Sequence, residues 1–346
     1  MTRTISIGLT LVMAAAALCH AQATKPVSIW LDVDTSTGVM RERPRDVDDG
    51  LATLQAFHSP EVAIRGLSTC FGNANLDEAN TIARDIVARF GPANLRVASG
   101  AASSDDLGRE TDATIALADA LKQERLTVLA LGPATNVATV LKNHPELAAR
   151  IEKIVVVAAR RPGFAFHPPG RPELVFPDAN FEKDAPGMQV LLDSGVPIVF
   201  AGYEVSSDVW VTRADFEKLA ATSEAGRWIA QTSDYWLSRW ETAYKLPGFN
   251  PFDTLAVAYV THPEQIESIP VDVHITAGPN DRVEGRLPST RPSKPYLIAE
   301  PARQATSRFT YCVAAQDTFV PTLLARLAGR PTEPTAASQP KEMGPR

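Results

Sequence analysis

Short apolar runs alternate with longer amphipathic stretches along most of this chain. The short runs have the length of buried strands, and the longer stretches show the spacing of helices that bury one face. Strands that alternate with helices in this way predict an α/β fold built on a largely parallel sheet. Since no linker, repeat or low-complexity segment interrupts residues 24–329, we predict a single domain. Its central sheet is expected to be open and mostly parallel, with helices on both faces.

The predicted strands and helices can be placed in order along the chain. Strands are expected near residues 29–33, 62–70, 95–98, 126–131, 154–158 and 198–201, and then, separated by short turns, near 271–276, 282–287, 296–299 and 308–314. Helices are expected to begin near 48, 136 and 253, and to span about 77–90, 113–123, 185–193, 213–221, 224–245 and 317–327. Residues 160–177 form a long loop rich in proline, and a loop of that length inside a domain is usually functional or mobile.

Polar side chains that suit ligand binding follow one predicted strand after another. In a parallel sheet the carboxyl ends of the strands lie at one edge, so residues far apart in sequence converge on a single crevice there. The residues at these junctions are Asp34, Asp48, Asp49, Asn73, Thr135, Asn136, Asp178, Asn180 and Asp253.

Five aspartates fall within the eighteen residues from Asp32 to Asp49. So many carboxylates repel one another unless positive charge lies among them, and a hard cation with oxygen ligands supplies that charge most simply. The alternative is a solvated acidic turn, because Asp48 and Asp49 would also stabilise the start of the following helix. The spacing alone leaves both interpretations open.

The motifs at these junctions, taken in order, resemble the inosine–uridine nucleoside hydrolase family. The family's opening signature, Asp-x-Asp-Pro-Gly-x-Asp-Asp, is present but interrupted, since Asp32-x-Asp34 matches its first half and Asp48-Asp49 its second. The further matches are Phe71-Gly72-Asn73, Leu131-Gly132-Pro133-Ala134-Thr135-Asn136, Asp178-Ala179-Asn180 with Asp184, and Phe252-Asp253-x-x-Ala256. The resemblance covers roughly residues 27–328.

The resemblance implies hydrolysis of the N-glycosidic bond of ribonucleosides, through an oxocarbenium-like transition state and a metal-activated water. It also implies that Asp34, Asp49, the backbone carbonyl of Thr135 and Asp253 hold a calcium ion, and that Asp34 is the general base. By the same resemblance, the ribose hydroxyls are held by Asp48, Asn73, Asp178 and Asn180. The chemistry independently suits such a set, because carboxylates stabilise a developing sugar cation and oxygen donors suit Ca²⁺ better than Mg²⁺.

Two departures from the family pattern affect the acidic part of the site. Residues 35–47 form an insertion that must loop out over or beside the pocket. Its arginines, Arg41, Arg43 and Arg45, either reach the substrate or are solvated. Asp178 stands where the family often has Glu, a difference that the backbone or a water can compensate.

The third departure concerns the leaving group. Phe252 stands where the family often has the His that is linked to protonating a purine. His167, in the long loop, is the candidate replacement. The helix at 224–245 carries aromatic side chains at multiples of four, which first indicates core packing, but the corresponding region of the family borders the base pocket. The side chains considered for stacking on a nucleobase are Tyr235, Trp236 and Trp240.

The two ends of the chain differ in composition from the rest. Arg3, the apolar run 5–18 and the small residues of 21–23 predict a signal peptide at residues 1–23, and therefore a periplasmic or secreted protein. Residues 330–346 have the composition of a disordered tail. No apolar run is long enough to predict a membrane span.

Charge and cysteine content narrow the range of partners. Without the predicted signal, which contains one Arg and no acid, the formal net charge goes from −6 to −7. That balance argues against a nucleic acid partner. The resemblance implies a small ribonucleoside as the substrate. Cys70 and Cys312 could pair in an oxidising compartment, but cysteines this far apart in sequence are more often separate buried thiols, which is the prediction here. The possibility of a homo-oligomer is left open.

Two other functions remain as alternatives. An exported protein that binds a nucleoside or sugar without cleaving it would keep the same pocket, and Phe252 and the insertion favour it. A phosphatase of the haloacid dehalogenase type would use Asp32-x-Asp34 as its nucleophile loop, but it needs a later Lys and an acidic pair that this sequence does not place in order. Ribose release, binding without turnover, and phosphate release distinguish the three.

Overall fold

A computed structural model describes residues 25–39, 45–281, 283–284, 287–288, 292–304 and 306–329. The predicted signal peptide and the predicted tail lie outside these residues, as do Arg41 and Arg43 of the insertion.

The first strand shows why the sheet is buried on both faces. In β1 (Val27–Val33), Ile29 and Leu31 pack into one hydrophobic core, and Trp30 between them packs into another. Successive side chains of a strand point to opposite faces, so an uninterrupted apolar run needs a cover on each side. Helices supply both covers, and the prediction of a sheet between two helical layers is confirmed.

The strands that follow vary in length from two residues to fourteen. They are β2 (Val62–Thr69), β3 (Val97–Ser99), β4 (Leu126–Ala130), β5 (Ile151–Val156), β6 (Ile198–Phe200), β7 (Val211–Thr212), β8 (Gly248–Phe249), β9 (Ile266–Pro279), β10 (Val283–Glu284), β11 (Leu287–Pro288), β12 (Ser293–Pro301) and β13 (Phe309–Ala315). Among the described residues, nine of them form the main sheet in the order β12-β9-β13-β6-β5-β4-β1-β2-β3.

Helices connect most of the parallel strands. They are α1 (Asp48–Phe57), α2 (Leu76–Phe90), α3 (Asp112–Gln123), α4 (Thr135–Asn143), α5 (Ala179–Lys183), α6 (Ala185–Asp193), α7 (Tyr203–Ser206), α8 (Arg213–Ala220), α9 (Glu224–Thr242), α10 (Phe252–Thr261) and α11 (Phe319–Leu327). The long predicted helices are all present, and α2 begins with a capping box between Asn75 and Glu78. Sequence patterns missed α5 and α7, which are too short to show a helical period.

The strand order creates a crevice beside β1. From β1 the chain builds outward through β2 and β3 on one side, and then continues through β4, β5 and β6 on the other, with parallel pairing throughout. Ligands of open α/β sheets bind at such a reversal, outside the carboxyl ends of the strands. The crevice lies between the ends of β1 and β4, where Asp34 and the 131–136 motif are found.

The far edge of the sheet departs from this parallel pattern. β9 pairs antiparallel with both β12 and β13 and is longer than the predicted strand at 271–276. Residues 282, 285 and 286 of the predicted strand at 282–287 lie outside the described residues, and residues 283–284 pair with 287–288 as a separate two-stranded ladder of β10 and β11. Cys70 and Cys312 are both buried free thiols, as predicted. Within the described residues, no helix combines the length and the apolar character needed to cross a membrane.

Asn136 ties together three strand ends under the crevice. Its Nδ2 donates to Oδ1 of Asp32 at 2.8 Å and to the carbonyl of Thr69 at 3.1 Å, and its Oδ1 accepts from the backbone N–H of Ala101 at 2.8 Å. All of these groups are buried, so each bond replaces hydration that the fold has removed. Asp32 therefore has a structural role: it also accepts from the Ser68 hydroxyl at 2.6 Å.

Replacing Asn136 with Ala is expected to lower the free energy of unfolding by about 2–4 kcal/mol, because it leaves the buried N–H of Ala101 without this acceptor and removes one of the two bonds to Oδ1 of Asp32. Chemical denaturation monitored by circular dichroism measures the change. The matched control is Asn143→Ala on the same helix, where the exposed side chain donates to the carbonyl of Gly108. An equal loss of unfolding free energy in both variants would show that the buried hydrogen bonds of Asn136 stabilise the fold no more than an exposed one does.

Candidate functional site

Three aspartates from separate parts of the sequence meet at the crevice. Asp48 and Asp49 open α1, and Asp253 lies in the first turn of α10. Each offers a carboxylate oxygen, and these oxygens lie within 4.8 Å of one another. Asp34, which follows β1, adjoins them, since its backbone N–H donates to Oδ1 of Asp49 at 3.0 Å. The two halves of the interrupted signature and the distant Asp253 therefore share one centre.

Asp34 is held from the side of β2. Oδ2 of Asp34 accepts from the backbone N–H of Asn73 at 2.8 Å, and its Oδ1 accepts from Nδ2 of Asn73 at 3.2 Å. A Cβ at residue 72 would lie 1.6 Å from Oδ2 of Asp34, so Gly72 is needed for this close approach. The Nζ of Lys183 lies 3.9 Å from the same oxygen. The structure thus uses Asn73 to orient Asp34.

Burial and mutual repulsion disfavour the charged forms of these acids. Burial raises the pKa of Asp49 and of Asp253 well above the usual range, and the neighbouring carboxylates raise both further. Burial, opposed by a hydrogen bond with Asp46, raises the pKa of Asp48 to about 6. Oδ2 of Asp49 is buried without a hydrogen-bond partner. A hard divalent cation would satisfy this oxygen and remove the repulsion, so the donor set fits a metal ion.

The side chain of Thr135 has a different partner. Its hydroxyl donates to Oδ2 of Asp184 at 2.5 Å, and Oδ1 of Asp184 accepts from the backbone N–H of Gly187 at the start of α6. This connection fixes α4 against α6. The role given to the Thr135 carbonyl as a metal ligand stays a prediction.

A cavity of about 770 Å³ opens above the acids and has two unlike halves. The polar half is lined by Arg45, Asp46, Asp48, Asn73, Asp178, Asn180, Lys183 and Asp253. The aromatic half is lined by Phe166, Phe176, Tyr203, Trp236, Trp240, Tyr244 and Phe252, with Arg239 and Glu173 among them. The predicted metal ligands and the predicted base-binding helix therefore border the same space.

Asp178 and Asn180 line the polar half, as expected for ribose-binding residues. Nδ2 of Asn180 donates to the carbonyls of Leu131 and Val157 at 2.6 and 3.2 Å, so the atom it can offer a ligand is Oδ1. Oδ2 of Asp178 accepts from the backbone N–H of Ala159 at 2.9 Å. Both side chains are anchored on the segments that follow β4 and β5.

The aromatic stripe of α9 both packs the core and lines the cavity. Trp240 is 1% exposed, and its ring lies 6.0 Å from that of Trp236 and 6.2 Å from that of Phe252. Trp228 instead packs on Phe90. Tyr235 is 53% exposed and is not part of the cavity wall, so Tyr235 was the wrong choice for a stacking residue.

The long loop supplies part of the aromatic wall, but His167 does not lie on that wall. Nδ1 of His167 is hydrogen-bonded to the carbonyl of Leu174 at 2.8 Å, which holds the loop together. Its neighbours Phe166 and Phe176 line the cavity instead. His167 therefore stabilises the conformation of the loop, and other residues of the loop, such as Phe166 and Phe176, face the cavity.

Several cavity residues were missed as site candidates. Asp46, two positions before Asp48, accepts from the backbone N–H of Val47 at 2.8 Å, and burial raises its pKa well above the usual range. Its place in the acidic run was a signal that the sequence offered. Others are Lys183, Tyr203, Arg239 and Tyr244; the lysine and the arginine are not distinguishable in sequence from solvated residues on a helix.

Comparison with known proteins agrees with this geometry. The family model described as inosine-uridine preferring nucleoside hydrolase matches residues 29–287. A probable uridine nucleosidase 2 from Oryza sativa subsp. japonica is 25% identical over 260 residues, which cover 66% of this chain and 75% of that protein. The pyrimidine-specific ribonucleoside hydrolase RihA from Citrobacter koseri is 24% identical over 251 residues, covering 64% of this chain and 78% of that protein.

Solved structures share the fold. A purine-preferring ribonucleoside hydrolase from Gardnerella vaginalis superposes with a TM-score of 0.69 at 22% identity, over 87% of this chain and 98% of that one. The plant nucleoside hydrolase PpNRh1 gives a TM-score of 0.69 at 19% identity, over 88% and 99% of the two chains. Since the family model spans most of the sequence, the chain belongs to the inosine-uridine preferring nucleoside hydrolase family and is an enzyme of the hydrolase class.

Proposed function

We propose that this enzyme hydrolyses the N-glycosidic bond of ribonucleosides to ribose and free base, and that Ca²⁺ is its metal ion. The observation that carries the proposal is the unpaired, buried Oδ2 of Asp49 beside Asp48 and Asp253, at the floor of a cavity with an aromatic far side. A sugar with adjacent hydroxyls suits the polar half, and a flat heterocycle suits the aromatic half.

Asp34, Asp49 and Asp253 would hold the ion, with the carbonyl of Thr135 as a further ligand. Asp48, which the resemblance assigns to the ribose, offers an oxygen within 4.8 Å of those of Asp49 and Asp253, so we propose it as an additional ligand. When bound, Ca²⁺ supplies positive charge that orients the ribose hydroxyls and acidifies a water. Asp34 is the proposed general base for that water, and its two hydrogen bonds from Asn73 fix its orientation. The surrounding carboxylates stabilise the positive charge that develops on the sugar.

The base leaves into the aromatic half of the cavity, where Phe252 has no proton to give. Tyr244 and Arg239 both line this half, and Nε of Arg239 donates to the hydroxyl oxygen of Tyr244 at 3.1 Å. That bond occupies a lone pair of the Tyr244 oxygen and leaves its O–H free to donate. We infer that Tyr244, rather than His167, donates a hydrogen bond to the leaving base.

The apolar segment before residue 24 supports export, so we propose that the enzyme works in the periplasm or outside the cell. Family membership favours the hydrolase over the phosphatase alternative. A protein that binds without cleaving is the other outcome of the assay below.

Replacing Asp49 with Asn is expected to weaken Ca²⁺ binding on the order of 100-fold and to reduce ribose release in step, because the neutral amide removes the charge that the cation needs. Calorimetric Ca²⁺ titration of chelator-treated protein and a reducing-sugar assay on inosine and uridine measure the two effects. Asp193→Asn, an exposed change at the end of α6, is the control. Undiminished ribose release in Asp49→Asn would remove Asp49 from the metal site, and tight nucleoside binding with no release in the wild type would favour the binding protein.

Replacing Tyr244 with Phe is expected to lower kcat for inosine about 100-fold, the usual effect of losing a general acid, while hydrolysis of 4-nitrophenyl riboside stays near the wild-type rate. Nitrophenolate leaves without a proton, so it bypasses the lost donor. Tyr235→Phe, on the exposed side of α9, is the matched control. Parallel losses on both substrates would exclude Tyr244 as the leaving-group donor.

Burial of the Asp178 carboxyl makes the folding stability depend on pH. Burial raises the pKa of Asp178 to about 7, and the backbone N–H of Ala159 and the charge of Arg160 only partly oppose it. A folded-state pKa above the ordinary 3.8 means that the folded protein holds this proton more tightly. The contribution of Asp178 to the free energy of unfolding is therefore fully present below about pH 4. It is lost as the pH rises from there through about 7.

In the Asp178→Asn variant the side chain at this position is neutral at every pH, so this contribution is not expected to fall as the pH rises. Its free energy of unfolding, relative to the wild type, should rise on the order of 2–4 kcal/mol between pH 4 and pH 8. Urea denaturation at a series of pH values measures the difference, with Asp193→Asn as the exposed control. A difference that does not change with pH would show that Asp178 titrates normally.

A further inference from the structure

One lysine contacts the acidic centre within the described residues, at the carboxylate of Asp34. Five aspartates make up this centre: Asp34, Asp46, Asp48, Asp49 and Asp253. Across the described part of the chain, the one ion pair that any of these carboxylates makes within 4.0 Å is that between Nζ of Lys183 and Oδ2 of Asp34, at 3.9 Å. Lys183 is therefore the side chain that offsets part of the negative charge when no metal is bound.

The backbone of Lys183 is fixed, whereas its ammonium group has room to move. It is the last residue of α5, and the next residue, Asp184, is tied to Thr135 and Gly187. Its side chain is 32% exposed and lines the cavity, so the ammonium group has open space into which it can move. A flexible stem on a fixed backbone lets one charge occupy two positions at low cost.

A divalent cation and this ammonium group are drawn to the same carboxylates and repel each other. At separations of a few ångströms in a partly buried site, such like-charge repulsion is large. We propose that Lys183 is a tethered counter-ion that stabilises the metal-free enzyme, competes with the metal, and moves out into the cavity when the metal binds. The proposal rests on the metal site of the proposed function and adds a residue that lowers its affinity.

Neutralising Lys183 should therefore strengthen metal binding. In Lys183→Met, which keeps the apolar stem, the Kd for Ca²⁺ measured by calorimetry on chelator-treated protein is expected to fall about tenfold. The melting temperature in excess chelator should fall, whereas that in saturating Ca²⁺ should not. Lys183→Arg keeps the charge and is expected to bind Ca²⁺ with an affinity close to the wild type.

The control for a general charge effect is Lys122→Met on α3, where the lysine pairs with Asp119 at the surface. An unchanged Kd in Lys183→Met, or the same loss of melting temperature with and without Ca²⁺, would overturn the proposal. A tighter Kd that Lys122→Met also shows would overturn it as well. If the wild type binds Ca²⁺ and Lys183→Met tightens it, but ribose release is absent, the counter-ion proposal stands and the hydrolase proposal fails.

Discussion

The structure depends on a cluster of buried carboxylates at the carboxyl end of the sheet. Asp34, Asp48, Asp49 and Asp253 are all buried, and the pKa values of Asp49 and Asp253 are raised by burial and by the neighbouring carboxylates. A fold accepts such a cost only where something outside the polypeptide compensates it, and a divalent cation is the simplest compensation. The hydrogen bonds from Asn73 to Asp34 and from Asp34 to Asp49 then keep the oxygens in place.

The same strand ends also carry a buried hydrogen-bond network. Asp32, two residues before Asp34, is held in it by Ser68 and Asn136. It looks like a ligand in the sequence because it belongs to the Asp-x-Asp pair. The partners of the two acids separate their roles, since Asp32 is engaged by buried side chains of the fold whereas Asp34 is oriented by Asn73 beside the acidic centre.

The sequence predicted those parts of the fold that local patterns determine. Apolar runs located β1, β2 and β4 to within about two residues, and the helical pattern over about 77–90 located α2. The antiparallel pairing of β9 with β12 and β13 was not predictable in this way, since a strand's partner depends on contacts distant in sequence.

The site was predictable to the extent that its residues form motifs. The junction residues Asp34, Asp49 and Asp253 came together as expected, whereas Lys183 and Tyr244 carry no motif and gain meaning only from what lies beside them. His167 is an example of the opposite error. A histidine in a loop near a site suggests catalysis, but the ring of His167 is hydrogen-bonded to a backbone carbonyl of its own loop.

The two halves of the cavity rest largely on different supports. Much of the polar half follows the ends of sheet strands, as Asn73 does, whereas much of the aromatic half comes from the 160–177 loop and α9, which lie outside the main sheet. Substitutions in the second group can reshape the space around a heterocycle without disturbing the first. Such an arrangement would let substrate preference diverge between relatives while the bond-breaking apparatus is inherited unchanged.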